Sequence, residues 1–89
     1  MTMRPPIIVK NGERKYVYKW IGPSGHKVWF SFKKLDGSLG KVHMYREANP
    51  GNDWKDLDIH IGGRYLKTKG AEYHVHIEAL DTDVYVVIT

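Results

Sequence analysis

The chain has no cysteine and only three serines, Ser24, Ser31 and Ser38, in 89 residues. The first absence excludes disulfides and thiolate-held zinc, and it fits a reducing compartment such as the cytoplasm. None of the serines gains a triad-like partner in the strand pairings considered below. No P-loop, G-x-G-x-x-G, G-x-S-x-G or zinc-finger spacing is present, so the common sequence signatures of phosphate-loop and hydrolase chemistry are missing. Apolar runs are short. Val84-Tyr85-Val86-Val87-Ile88 is among the longest, against the roughly 20 residues of a membrane helix, so no membrane role is expected. Met1 to Lys10 lacks the apolar segment of a secretory leader, and none is expected. No helical period survives more than a turn, and there is no repeat or low-complexity tract.

What remains is a chain with 42% hydrophobic residues, enough for one core and too short for two, so a single domain over residues 1–89 is expected. Charge is unevenly spread along it. Met1 to Pro50 carries ten Lys/Arg against three Asp/Glu, a net +7, and Gly51 to Thr89 carries four against seven, a net −3. A basic half suggests an anionic partner, RNA or single-stranded DNA, although lysines also blunt sheet edges against aggregation.

Runs rich in Val, Ile, Tyr, Trp and Phe alternate with Gly, Asn, Asp and Pro clusters, the pattern of an all-β domain. Strands are expected at about 7–10, 15–21, 26–33, 40–45, 56–61, 64–69, 72–79 and 84–88. Turns fall at Asn11-Gly12, Pro23-Ser24-Gly25, Asp36-Gly37, Gly62-Gly63, Gly70-Ala71 and Asp81-Thr82, where Gly, Asn and Asp supply positive φ. Arg46 to Lys55 reads as the one long connection. The expected architecture is a small antiparallel barrel or two-sheet sandwich of about eight short strands.

Two-residue hairpins at the last three turns would make the C-terminal strands a four-stranded meander. His60 would then oppose Tyr65, Asp58 oppose Lys67, Lys67 oppose His74, and Tyr65 oppose His76. One face would carry Leu57, Ile59, Ile61, Leu66, Tyr73, Val75, Ile77, Val84, Val86 and Ile88 into the core. The other would present Asp56, Asp58, His60, Tyr65, Lys67, Lys69, Glu72, His74, His76 and Glu78. In the first half, Tyr16, Tyr18 and Trp20 share one face of their strand by simple alternation. Whether Trp29 or Phe30 and Phe32 join that row depends on the length of the loop at Pro23.

Three constellations carry chemistry. Asp58, His60, His74 and His76 are metal-ligand types, but the registers set His60 and His76 two strands apart, roughly 9.5 Å, so neither metal nor cofactor is expected. The same face offers acid/base chemistry. His60, His76 and His74 would transfer protons, Lys67 would hold a phosphate, and Tyr65 and Asp58 would orient them, as a metal-independent ribonuclease requires. A solvated polar sheet face explains the same pattern without catalysis. Finally, Lys19, Lys27, Lys33, Tyr18, Trp20 and Trp29 interleave cations with aromatics, the mixture that holds single strands by stacking and phosphate pairing. Core burial of the aromatics is the competing explanation. Trp54 reads as a lid, a contact residue or an end plug.

The leading expectation is a small basic nucleic-acid-binding accessory protein, a format that suits phages and mobile elements. The metal-independent ribonuclease and a protein-binding accessory or inhibitor domain are the alternatives.

Overall fold

Each of the eight β-rich runs forms a strand. In the computed structural model, which describes residues 5–89, these are β1 (Ile7–Val9), β2 (Arg14–Ile21), β3 (Lys27–Lys34), β4 (Lys41–Ala48), β5 (Asp53–Ile61), β6 (Gly63–Lys67), β7 (Glu72–Ala79) and β8 (Val84–Ile88). Residues 1–4, part of the segment read above for a leader, lie outside the described residues. The strands build two four-stranded antiparallel sheets, β1-β8-β3-β6 and β2-β7-β4-β5, hereafter the first and second sheet. They pack as a sandwich whose core is led by Phe30, Phe32, Met44 and Ile77, each fully buried. Burying a side chain of this size is worth about 1.5–3 kcal/mol. No helix among the described residues is long and apolar enough to cross a membrane.

The all-β sandwich is as expected, but the C-terminal meander is not formed. Successive strands change sheet at every connection except β4 to β5. The decisive local feature is Gly62-Gly63, which is a corner rather than a hairpin turn. Gly62 adopts φ +84°, its N–H donates to Gly40 O (2.9 Å), and its carbonyl accepts from Phe32 N (2.9 Å). The chain thus runs from β5 in the second sheet directly into β6 in the first, a sheet-switching bend of the kind that closes sandwich edges. The connection read as long, 46–55, shortens to a tight turn at Asn49-Pro50-Gly51-Asn52. Asn49 (φ 50°) and Gly51 (φ 89°) adopt left-handed backbone there, and Asn52 N donates to Asn49 O (3.0 Å).

Two bulges correct the expected faces. In β5, His43 opposes Ile59 and Tyr45 opposes Asp56, which leaves one extra residue in the strand, and Asp58 sits at φ 68°. An extra residue inverts the alternation beyond it. Leu57 is buried as expected, whereas Ile59 and Ile61 are 50% and 61% exposed and His60 falls on the side of buried Val42. In β2, Tyr16 opposes His76 while Tyr18 opposes Val75, so Val17 is the extra residue. Tyr16 therefore faces out and Tyr18 faces the core. Strands β2 and β3 lie in different sheets, so Trp29 never joins the Tyr16 row. The remaining predicted core residues, Leu66, Tyr73, Val75, Ile77, Val84, Val86 and Ile88, are buried.

Candidate nucleic-acid interface

Alternation along β3, β6, β8 and β1 aims Lys27, Trp29, Ser31, Lys33, Gly63, Tyr65, Lys67, Tyr85, Val87 and Ile8 away from the core. The registers order them into cross-strand rows. Lys27 lies beside Lys67, Trp29 beside Tyr65, Ser31 between Gly63 and Val87, and Lys33 beside Tyr85. No carboxylate occupies an outward position on these four strands, and among the described residues Lys27, Lys33 and Lys67 make no ion pair. Three uncompensated ammonium groups therefore flank an aromatic pair.

The aromatic pair is set by glycine. A Cβ on Gly63 would stand 2.5 Å from Trp29 Cζ2 and 2.8 Å from Phe30 O, so only glycine lets the indole lie across β6. Trp29 and Tyr65 meet with ring centroids 4.6 Å apart at 52°, and Tyr65 is 62% exposed. Lys27 Nζ stands 5.6 Å from the Tyr65 ring centroid, within cation–π range. Outward residues on one strand repeat at about 6.8 Å, so Lys27 and Lys33 stand about 20 Å apart along β3 with Trp29 and Ser31 between them.

The second sheet presents a different face. Its cross-strand rows are Lys19-His74-Glu47-Trp54, Tyr16-His76-Tyr45-Asp56 and Arg14-Glu78-His43-Ile59. Glu47 organises the first two. Its Oε2 accepts from Gly51 N (2.6 Å), while Oε1 lies 3.7 Å from His74 Nδ1 and 3.5 Å from His76 Nε2. His74 Nε2 reaches Glu72 Oε2 at 2.5 Å, and Tyr16 packs edge-on against both imidazoles at 4.9 and 5.4 Å. Trp54 tilts over His76 at 4.9 Å. Buried His76 Nε2 has no hydrogen-bond partner among the described residues. Desolvation lowers the His76 pKa below its usual value, outweighing the pull of Glu47 in the other direction. Burial, followed by Glu72 and Glu47, raises that of Tyr16. Asp56 is held ionised below its usual range by the Asp58 backbone N–H and by His43, whose Nε2 is 2.7 Å from Oδ1. No group of three or more His, Asp or Glu among the described residues is placed to hold a metal.

The residues predicted as sites separate accordingly. Of the nucleic-acid set, Lys27, Trp29 and Lys33 share the outward face of β3. Tyr18 is in the core against Phe30, with rings 5.7 Å apart, and Lys19 belongs to the other sheet beside His74. Trp20 packs against the core, stacks on His26 at 3.9 Å and donates from Nε1 to Pro23 O (3.0 Å). The six residues grouped for acid/base chemistry do not converge. Tyr65 opposes Trp29 and Lys67 opposes Lys27 in the first sheet, while His74 and His76 lie on the outer face of the second. Asp58 is exposed in the β5 bulge. His60 turns inward, with Nε2 at 2.6 Å from Leu57 O and 2.5 Å from an Arg64 guanidinium nitrogen.

Sequence reasoning missed Glu47, Tyr16 and Trp54 as neighbours of the histidines, because it placed β4 and β7 in separate strand groups. It assigned Tyr65 and Lys67 to the wrong companions because Gly62-Gly63 and Gly70-Ala71 read as two-residue hairpins, whereas β6 pairs with β3. No protein-family model and no curated protein matches the chain.

Proposed function

We propose that this protein binds single-stranded nucleic acid, RNA or DNA, on the outward face of the first sheet, as a cytoplasmic accessory factor. The observation that carries the reading is the combination of three unpaired lysines, Lys27, Lys33 and Lys67, with the Trp29–Tyr65 pair on a face without a carboxylate. Bases stack on the two rings and phosphates pair with the ammonium groups, a mode that tolerates sequence variation because every base has a π face. Fluorescence anisotropy of a labelled oligonucleotide tests it. Affinity falls steeply with salt, and Trp29→Ala weakens it by about 1–3 kcal/mol. Undetectable binding at low salt, or an unaffected W29A variant, overturns the proposal.

A second reading, docking to a protein, is favoured by Leu39 and Ile61. They are 60% and 61% exposed around the Gly62 corner, with Ile59 on the same side of β5. Contiguous exposed apolar surface of this kind marks interaction sites. The two readings separate by salt, since apolar docking is insensitive to it, and by Ile61→Lys, which blocks docking and leaves oligonucleotide binding intact.

A further inference from the structure

On the outer side of the second sheet a shallow open cleft of about 360 Å³ is lined by Arg14, Tyr45, Trp54, Lys55 and Asp56. Its volume lies at the small end of ligand sites. Its chemistry is unlike that of the histidine cluster beside it. The Arg14 guanidinium lies 3.7 Å over the Tyr45 ring, whose plane is itself stacked on His43 at 4.4 Å and 14°. That contact holds the guanidinium against the ring, and its planar fork of donors suits phosphate. Arg14 makes no ion pair among the described residues, so its donors are open to an anion, whereas Lys55 opposes buried Arg46 on the other side of β5 and its charge acts on Asp53.

The other two walls supply complementary groups. Trp54 is 52% exposed, with one side of its indole over His76 and the rest open to the cleft. Both hydrogen bonds to Asp56, from His43 Nε2 and Asp58 N, end on Oδ1, which leaves Oδ2 as an acceptor. An exposed indole, an arginine fork and one open carboxylate oxygen match a planar base, a phosphate and a sugar hydroxyl. We infer that this cleft binds a nucleoside monophosphate, with the base on Trp54, the phosphate on Arg14, and a ribose hydroxyl on Asp56. The site is on the sheet opposite Trp29 and Tyr65, so it stands or falls independently of strand binding there.

Isothermal titration of the full chain with adenosine 5′-monophosphate, adenosine and inorganic phosphate tests the inference. A 5′-phosphorylated dinucleotide, run beside them, separates a free nucleotide from a strand end as the source of the ligand. The monophosphate is expected to bind about tenfold more tightly than either of its parts. Arg14→Gln, at an exposed position, should weaken it several-fold while leaving adenosine unaffected, whereas Lys55→Gln, on the Asp53 side of β5, should not. Trp29→Ala should change nothing here, which keeps this test distinct from that of strand binding. Adenosine binding as tightly as the monophosphate, phosphate alone binding as tightly, or an R14Q variant with unchanged affinity would each overturn the assignment.

Discussion

The two outer faces of the sandwich are both made by alternation on four antiparallel strands, interrupted in the second sheet by the bulges of β2 and β5, yet they treat charge in opposite ways. On the first sheet Lys27, Lys33 and Lys67 stand without a carboxylate on the same face. On the second sheet Glu47, Asp56, Glu72 and Glu78 interleave with His43, His74, His76, Arg14 and Lys19, and most of these groups touch a partner. The first arrangement leaves an electrostatic field open to an external anion. The second spends its charges mainly on one another. A basic pI of about 9.4 therefore does not describe a uniformly basic surface.

This contrast can be broken from either side. The largest effect is expected from Gly63→Ala. The added Cβ would collide with the Trp29 ring and with Phe30 O, and overpacking of this kind costs about 1–3 kcal/mol. Thermal unfolding should show the loss, and oligonucleotide affinity should fall with it because the indole is displaced. A variant with wild-type stability and affinity would remove Gly63 as the seat of the aromatic platform. Glu47→Gln addresses the other face. It weakens the charge-assisted bond from Gly51 N and removes the carboxylate that lies beside His74 and His76, at a cost of about 1–2 kcal/mol. Chemical denaturation should detect that, while oligonucleotide binding stays unchanged.

Smaller effects sharpen the comparison further. Replacing Lys27, Lys33 or Lys67 by Gln should flatten the dependence of log affinity on log salt by about 0.7 for each lysine–phosphate pairing removed, whereas Lys19→Gln should leave it unaltered. An equal response to all four would mean that the faces are not electrostatically distinct. The smallest effect concerns pH. His76 has a pKa below its unfolded value, so the unfolded chain takes up a proton first as pH falls. Stability contributed by neutral His76 is present above about pH 6.5, and it is lost as pH drops from there towards the lower folded value. Stability measured between about pH 7 and pH 5 should decline in the wild type and decline less in His76→Asn.

Much of the strand content was legible in the sequence because β-branched and aromatic runs bounded by Gly, Asn and Pro are local signals. The partners of those strands were not. Gly62-Gly63 looks like a hairpin turn in one dimension, and only the packing of Trp29 and Phe32 against it makes it a corner between sheets. The bulges at Val17 and Asp58 also lack a clear local marker. Each moved a predicted neighbour across the sheet. Tyr18 went to the core and Tyr16 to the histidines, while His60 went inward and Ile59 outward. For the candidate interface, alternation along β3 correctly grouped Lys27, Trp29 and Lys33. Tyr65 and Lys67 joined them through a strand pairing that no local pattern encodes.

The path of the chain between sheets has a further consequence for how the molecule is reached from its unfolded state. Only β4 and β5 can zip together as neighbours in sequence, through the four-residue turn at Asn49 to Asn52. Every other ladder closes a loop that contains at least one strand of the opposite sheet. Such loops lose entropy before they gain contacts, which places this fold among the slow formers, in the millisecond-to-second range. The β4–β5 hairpin is the natural nucleus, and a cut between Gly51 and Asn52 would leave two fragments, each holding strands of both sheets and neither able to complete one alone.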